Sequence, residues 1–219
     1  MRLTIYGRSV VIKILIITLA IDIIAILIPI PVIKLILLVV SVGLISFTLY
    51  FFRDPMRHIP EGLKDNQVLS PGDGKVMLIE EINENDFLKS KAKLVGIFLS
   101  PFNVHVNRIP VSGKIDLLQH INGKYIAAYN PDSTMMNERT LIGISNPKFK
   151  VLIKQVAGYV ARRIVCELRT GDNVTIGEKF GMIKFGSRVD VIVPENSKIK
   201  VSVNQKVVGG LTILAEVPV

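Results

Sequence analysis

The sequence predicts an α+β chain: a β-rich body of small sheets, barrel- or sandwich-like, behind an N-terminal hydrophobic helical hairpin. Three observations predict it. Residues 10–52 are apolar almost throughout. After residue 53 the segments are rich in β-branched residues and often alternate. Turn residues punctuate those segments, as in "SPGDG", "VSG", "SNP", "TGDN" and "PENS".

The hairpin comes first. "VVIKILIITLAIDIIAILIPIPVIKLILLVVSVGLISFTLYFF" carries only Lys13, Asp22 and Lys34 as charges. Pro29 and Pro31 split it into about 19 and about 21 residues, each near the roughly 20 that cross a bilayer. Two arrangements fit: a spanning hairpin, or a re-entrant or interfacial one that spares Asp22 the cost of about 2.5–3.5 kcal/mol at mid-membrane. A cleaved signal peptide does not fit, because the run far exceeds an apolar core of roughly 7–15 residues and lacks a small-residue cleavage site. Arg2 and Arg8 precede the hairpin and Arg53 and Arg57 follow it, so both ends are expected in the cytoplasm, with Lys34 weakly opposing. The expected organisation is a membrane-anchoring hairpin over 1–52 and a β-rich domain over 53–219, held at a bacterial-type inner membrane on its cytoplasmic side.

Composition agrees. At 49% hydrophobic and a mean hydropathy of +0.46, the 219-residue chain is too apolar for a simple soluble protein. Its net charge of +9, from 27 Lys+Arg against 18 Asp+Glu, fits an anionic membrane. No run of five basic residues and no nucleic-acid-binding motif is present, so nucleic acid is not the expected partner. The single Cys166 rules out an intrachain disulfide, and with three scattered histidines it makes a zinc site unlikely to form; no metal is expected.

The body reads as strands at 75–82, 93–100, 149–168, 189–194, 199–208 and 210–217, with 133–139 ("STMMNER") as the best short helix. Its polar residues divide by context. His58, just after the hairpin, and His120, at a strand end, read as surface histidines. His105 lies in "SPFNVHVNRIPVSGKI", where alternation puts Asn103, His105 and Asn107 on one face and Val104 and Val106 on the other. That polar row, with Arg108 beside it, is either a solvated face or the lining of a pocket. Asp73, in "SPGDGKV", sits in a tight turn where an aspartate accepts backbone N–H bonds. Arg162 and Arg163, adjacent in "GYVARRIVCEL", face opposite sides if that segment is a strand, and Arg139 reads as a surface charge. Finally, "MIKFGSRVDVIVP" interrupts a strand pattern with Gly186–Ser187, a bland kink or a serine site. No G-x-S-x-G elbow and no S-x-x-K starting at that serine are present.

Six ordered blocks carry a resemblance: "YFFRDPMRHIP" (50–60), "LSPGDGKV" (69–76), "IFLSPFNVHVNRIPVSGKI" (97–115), "NER" (137–139), "QVAGYVARRIVC" (155–166) and "GEKFGMIKFGSRVDVIVP" (177–194). Together they resemble the short, membrane-anchored phosphatidylserine decarboxylase proenzymes. The resemblance implies that the chain cuts itself between Gly186 and Ser187, giving a β-chain of 1–186 and an α-chain of 187–219. Ser187 then becomes a covalent pyruvoyl group, the cofactor for turning phosphatidylserine into phosphatidylethanolamine. Ser187 is the implied nucleophile, Gly186 the scissile partner, His105 the proton donor in decarboxylation, and Asp73 an orienting or activating group. Arg108, Arg139 and Arg163 are implied contacts to phosphate or carboxylate, and the implied assembly is a homodimer of processed chains.

The sequence departs from the longer enzymes at two places. Arg108 stands where they have the second histidine of a His-x-x-His block, and arginine does not serve as a base near neutral pH. Either His105 serves both self-cleavage and decarboxylation, or Asp73 acts through another group or a water. "FGS" also replaces "LGS", an apolar exchange. Two rival readings remain at this point: a membrane-anchored carrier or adaptor of the lipoyl or biotinyl type, suggested by "GDNVTIGEKFG", and a purely structural membrane-anchored β protein. A carrier presents a lysine at a hairpin tip, whereas this chain presents Gly-Ser.

Overall fold

The computed structural model describes residues 2–128, 130, 133–159, 163–184 and 186–218. The chain divides into two units, one ending at Met56 and one beginning at Arg57.

The first unit is two helices. α1 (Arg8–Leu27) ends ahead of the two prolines, and α2 (Pro31–Phe51) starts with proline at its first turn, where the missing N–H costs nothing. They have 20 and 21 residues, long and apolar enough to cross a membrane. The buried positions are mostly small, Thr18 and Ala25 on α1 and Ser41 and Thr48 on α2, the residues that let two apolar helices approach closely. Leucine, isoleucine and valine side chains such as Leu27, Leu35 and Val42 face outward.

The second unit is strand-rich. In chain order it contains β1 (Gln67–Leu69), β2 (Gly74–Glu84), β3 (Ser90–Leu99), β4 (Val106–Arg108), β5 (Gly113–Ile121), α3 (Ser133–Met136), β6 (Arg139–Ser145), β7 (Lys150–Val156), β8 (Ile164–Cys166), β9 (Asn173–Val174), β10 (Lys179–Ile183), β11 (Ser187–Pro194), β12 (Lys198–Ile199), β13 (Lys206–Val207) and β14 (Ile213–Glu216). An eight-stranded sheet runs β13-β2-β3-β11-β7-β6-β5-β9. Two three-stranded sheets, β4-β10-β8 and β1-β14-β12, complete the unit. All three sheets feed one core, which joins Val95, Ile97, Ile153, Val189 and Val191 of the large sheet to Phe180 and Ile183 of the second and Val68 and Leu214 of the third. The β-rich α+β class follows from this arrangement.

β11 shows why the sequence folds this way. Val189, Val191 and Val193 alternate into that core, while Ile192 joins a second apolar cluster with Leu94 and Leu152 on the opposite face. A central strand buried on both faces explains the nearly continuous apolar run 189–193.

The strand expected over 199–208 is two short strands, β12 and β13, in different sheets, and three further expectations are corrected. The helix expected over 133–139 spans only Ser133–Met136. The Asn137 side chain is taken by the Ile126 backbone and the Ala157 carbonyl, which draws the chain out of the helix, and Arg139 then opens β6. The long strand expected over 149–168 breaks after Val156, where Ala157 bonds to Glu138 and the chain leaves the ladder, so Arg163 lies outside any strand; Arg162 lies outside the described residues. The polar row from Asn103 to Asn107 is not a solvated strand face. Only Val106–Arg108 form a strand, and every residue from Val104 to Arg108 is buried.

Candidate active site

Gly186 and Ser187 lie where the chain passes from one sheet to another. β10 belongs to the sheet β4-β10-β8, and β11 enters the large sheet at Ser187. Gly186 makes the passage with φ of +59°, a conformation that strains any residue with a Cβ. Phe185 of the "FGS" motif lies outside the described residues. Ser187 is fully buried, yet its Oγ has no hydrogen-bond partner among the described residues. Buried hydroxyls are nearly always satisfied, so this orphan calls for an explanation.

Register locates the groups that share its face. Ser187 stands opposite Leu99 of β3, and two residues on, Val189 stands opposite Gln155 of β7. Directly opposed side chains project to the same side of a sheet, so Ser187, Leu99 and Gln155 face the same way. Asn107 of β4 reaches this face from the facing sheet, where its Oδ1 accepts a 2.8 Å bond from Gln155 Nε2. The other halves of this buried amide pair, Asn107 Nδ2 and Gln155 Oε1, have no partner among the described residues. Three orphaned polar atoms therefore collect on one interior face.

His105 is reached by a turn that leaves β3 directly after the residue opposite Ser187. Asn103 Oδ1 accepts from the Ser100 N–H at 2.9 Å and the Ser100 hydroxyl at 2.7 Å, which closes that turn. His105 is fully buried, and its Nδ1 lies 3.0 Å from the Asn103 carbonyl. A carbonyl only accepts, so Nδ1 donates there and the neutral ring keeps its lone pair on Nε2. That tautomer suits a base or proton carrier.

Asp73 is elsewhere in the same end of the unit. Arg57 grips its carboxylate as a fork, with Nη1 to Oδ1 at 2.5 Å and Nη2 to Oδ2 at 2.6 Å, and the Gly209 N–H adds a 2.9 Å bond to Oδ1. Neither His105 nor Ser187 is among its partners. Its turn nevertheless backs the site: a Cβ on neighbouring Gly72 would stand 3.2 Å from Asn107 Nδ2 and 3.3 Å from Leu99.

The arginines are dispersed. Arg108 is buried, with Nη1 donating to the Gly177 carbonyl at 3.0 Å. Arg139 is half-buried and donates to the carbonyls of Met135 at 2.7 Å and Asn137 at 3.2 Å. Arg163 is exposed, and its carbonyl accepts the Lys184 N–H at 3.2 Å. Lys184 is 7% exposed, and burial, reinforced by the Arg163 charge, pushes its ammonium below the usual lysine range.

The sequence alone gives no site role to Lys184, Gln155 or Gly158, and marks Arg57 only as a charge beside the hairpin. Arg57 and Gly158 lay inside quoted blocks without a chemical signal of their own. Lys184 was visible as the one charge in the apolar run "GMIKFG". Cavities of about 390 Å³ near Ile59 and about 320 Å³ beside Arg188 include neither His105 nor Ser187 in their linings.

Comparison with known proteins bears on this geometry. The family model described as phosphatidylserine decarboxylase matches residues 44–215. A relative from Chlorobium phaeobacteroides (strain BS1), named phosphatidylserine decarboxylase proenzyme, is 50% identical over 177 residues, covering 81% of this chain and 82% of the relative. Relatives of the same name from Prosthecochloris aestuarii and Cytophaga hutchinsonii are 44% and 45% identical, covering 97% and 82% of this chain and 96% and 81% of their own.

Proposed function

The chain belongs to the phosphatidylserine decarboxylase family, whose members are carboxy-lyases, and from that premise we propose that it is a self-cleaving proenzyme whose cofactor arises at Ser187. The observation that carries this reading is the buried, unpartnered Ser187 Oγ directly after a glycine of positive φ. A hydroxyl kept out of every hydrogen bond is available to attack, and Gly186 offers it a carbonyl with no side chain in the way.

The proposed step balances. Ser187 Oγ attacks the Gly186 carbonyl carbon, and the amide becomes an ester. Loss of the Ser187 α-proton expels the Gly186 carboxylate and leaves a dehydroalanine. Water then releases ammonia and leaves a ketone at the new α-chain terminus. His105, with Nδ1 fixed by Asn103, is the proposed proton acceptor in self-cleavage and the proton donor in decarboxylation. Asp73, saturated by Arg57 and Gly209, acts by holding its turn in place.

The pyruvoyl group so formed supplies an electron-accepting carbonyl for loss of the substrate carboxylate. Exposed Arg163 and buried Lys184 are the proposed contacts for the substrate's anionic groups, with half-buried Arg139 a second candidate. Arg108, bonded to Gly177, supports the β4 end of the site.

The proposed setting is an anionic membrane, with the body on the cytoplasmic side of a bacterial-type inner membrane and the processed chains paired as a homodimer. Phe102 and Tyr159, 66% and 69% exposed, flank the turn to His105 and the Gly158 segment respectively. Exposed aromatics suit a lipid interface. The chain has no tryptophan, so Phe102→Trp supplies a single reporter. Its emission is expected to shift to the blue on phosphatidylserine-containing vesicles; unshifted emission removes this surface from the membrane contact.

The central test is an intact-mass measurement on a denaturing gel. Two chains split after Gly186 are expected, the smaller blocked to Edman sequencing. A single 24.3 kDa chain from active membranes would end the self-cleavage proposal.

A further inference from the structure

Gly158 lies just past the end of β7, against the Gly186 carbonyl. A Cβ built on it would stand 2.2 Å from the Gly186 carbonyl oxygen and 3.1 Å from the Ala128 Cβ. The atom in the way is a backbone oxygen, which cannot swing aside as a long side chain does. Gly158 does not have the left-handed backbone found at Gly186, so glycine is required there for space and not for conformation. In place of a Cβ it presents a hydrogen, so a Cα–H points at the Gly186 oxygen.

Gly186 immediately precedes β11, which anchors one end of the Gly186–Ser187 peptide, and the register that sets Arg188 opposite Val156 extends to set Gly186 opposite Gly158. Gly158 is therefore the cross-strand surface that the Gly186 carbonyl meets. We propose that Gly158 is the seat of the scissile carbonyl: a positioning residue that fixes the Gly186 C=O so that Ser187 Oγ meets its carbon. This inference rests on the self-cleavage reading above. Any side chain at 158 would have to move the oxygen by more than an ångström to reach ordinary contact. Displacement of about 1 Å at a reacting centre costs about 100-fold in rate.

The test uses the full chain in membranes. Gly158→Ala is expected to slow cleavage after residue 186 about 100-fold relative to wild type. The slowed step precedes the ester, so hydroxylamine, which cuts an ester but not an amide, should release no α-chain from the uncut variant. Two uncleavable precursors, Ser187→Ala and Ser187→Ala/Gly158→Ala, should share one cooperative thermal transition, separating a misplaced carbonyl from a damaged fold. Cleavage of Gly158→Ala within threefold of the wild-type rate overturns the proposal. So does a hydroxylamine-sensitive Gly158→Ala chain, which would place the block after the ester. Loss of the cooperative transition in the double variant also overturns it, by making Gly158 a packing glycine only. If the wild type itself stays uncut, the self-cleavage reading is what fails.

Discussion

Two buried turns at the active end treat their polar atoms in opposite ways. At Asp73 every carboxylate oxygen is bonded, to Arg57 and to the Gly209 N–H. At Ser187 the hydroxyl has no partner among the described residues, and Asn107 Nδ2 and Gln155 Oε1 on the same face share that condition. Glycine is used at both, but differently. Gly209 lets its turn close against Gly72, since a Cβ there would stand 2.9 Å from the Gly72 Cα. Gly186 bends a peptide into a geometry that other residues resist. Saturated polar atoms hold a structure still, whereas orphaned ones hold reactivity at a cost in stability. On the proposed reading, Asp73 belongs to the framework and Ser187 to the chemistry, although the two appear equally prominent as residues.

The comparison breaks most decisively at His105. If the chemistry lies on the Ser187 side, His105→Ala should lower phosphatidylethanolamine formation about 10³-fold, the range of a lost acid–base group. The assay is carbon dioxide release from labelled phosphatidylserine, read beside the extent of self-cleavage. Wild-type turnover after normal processing would remove His105 from the mechanism.

The next largest effect tests the framework side. Arg57→Ala strands the Asp73 carboxylate, and Arg57 and Asp73 side chains are only 9% and 15% exposed. Breaking one partner of such a pair costs about 2–3 kcal/mol, or roughly 4–12 °C in melting temperature for a domain of this size. Asp73→Asn keeps the shape and a bond to Gly209, and should cost less. An Arg57→Ala chain melting within 2 °C of wild type would show that the clamp is not structural, and would return Asp73 to the list of reacting groups.

The sequence made some of this legible and hid the rest for physical reasons. The hairpin was readable because the bilayer imposes length and composition together, so α1 ended before Pro29 and α2 opened on Pro31 as the apolar run required. The strand-rich class was readable from alternation, as in Val189, Val191 and Val193. The short helix was over-read because "STMMNER" has local helix propensity that the tertiary bonds of Asn137 override. The polar row 103–107 was ambiguous because alternation says which residues share a face, but not whether a second sheet covers it. Gly158 and Arg57 were invisible as functional residues. Their importance is a distance to a residue remote in sequence, and one sequence contains no such distances.

The smallest effect sharpens the comparison, because Lys184 stands between the two kinds of site. It is a buried cation near the scissile step, and burial and then the Arg163 charge hold its proton less tightly than in the unfolded chain. Its folded value therefore lies below its unfolded one. The charged ammonium costs stability at neutral pH, and that cost fades as pH rises through the lowered folded value toward the ordinary lysine range. Lys184→Met keeps the apolar stem and removes the charge. It should raise the melting temperature at pH 7 by roughly 1–2 °C, with the difference from wild type narrowing in alkaline buffer. If Lys184 also meets the substrate's anionic group, the same variant should raise KM for phosphatidylserine. Opposite signs for stability and activity would place Lys184 with Ser187, among groups kept at a cost for their chemistry. A stabilised variant with unchanged KM would instead leave its charge without a role in binding, and a difference from wild type that does not change in alkaline buffer would contradict the direction of the shift.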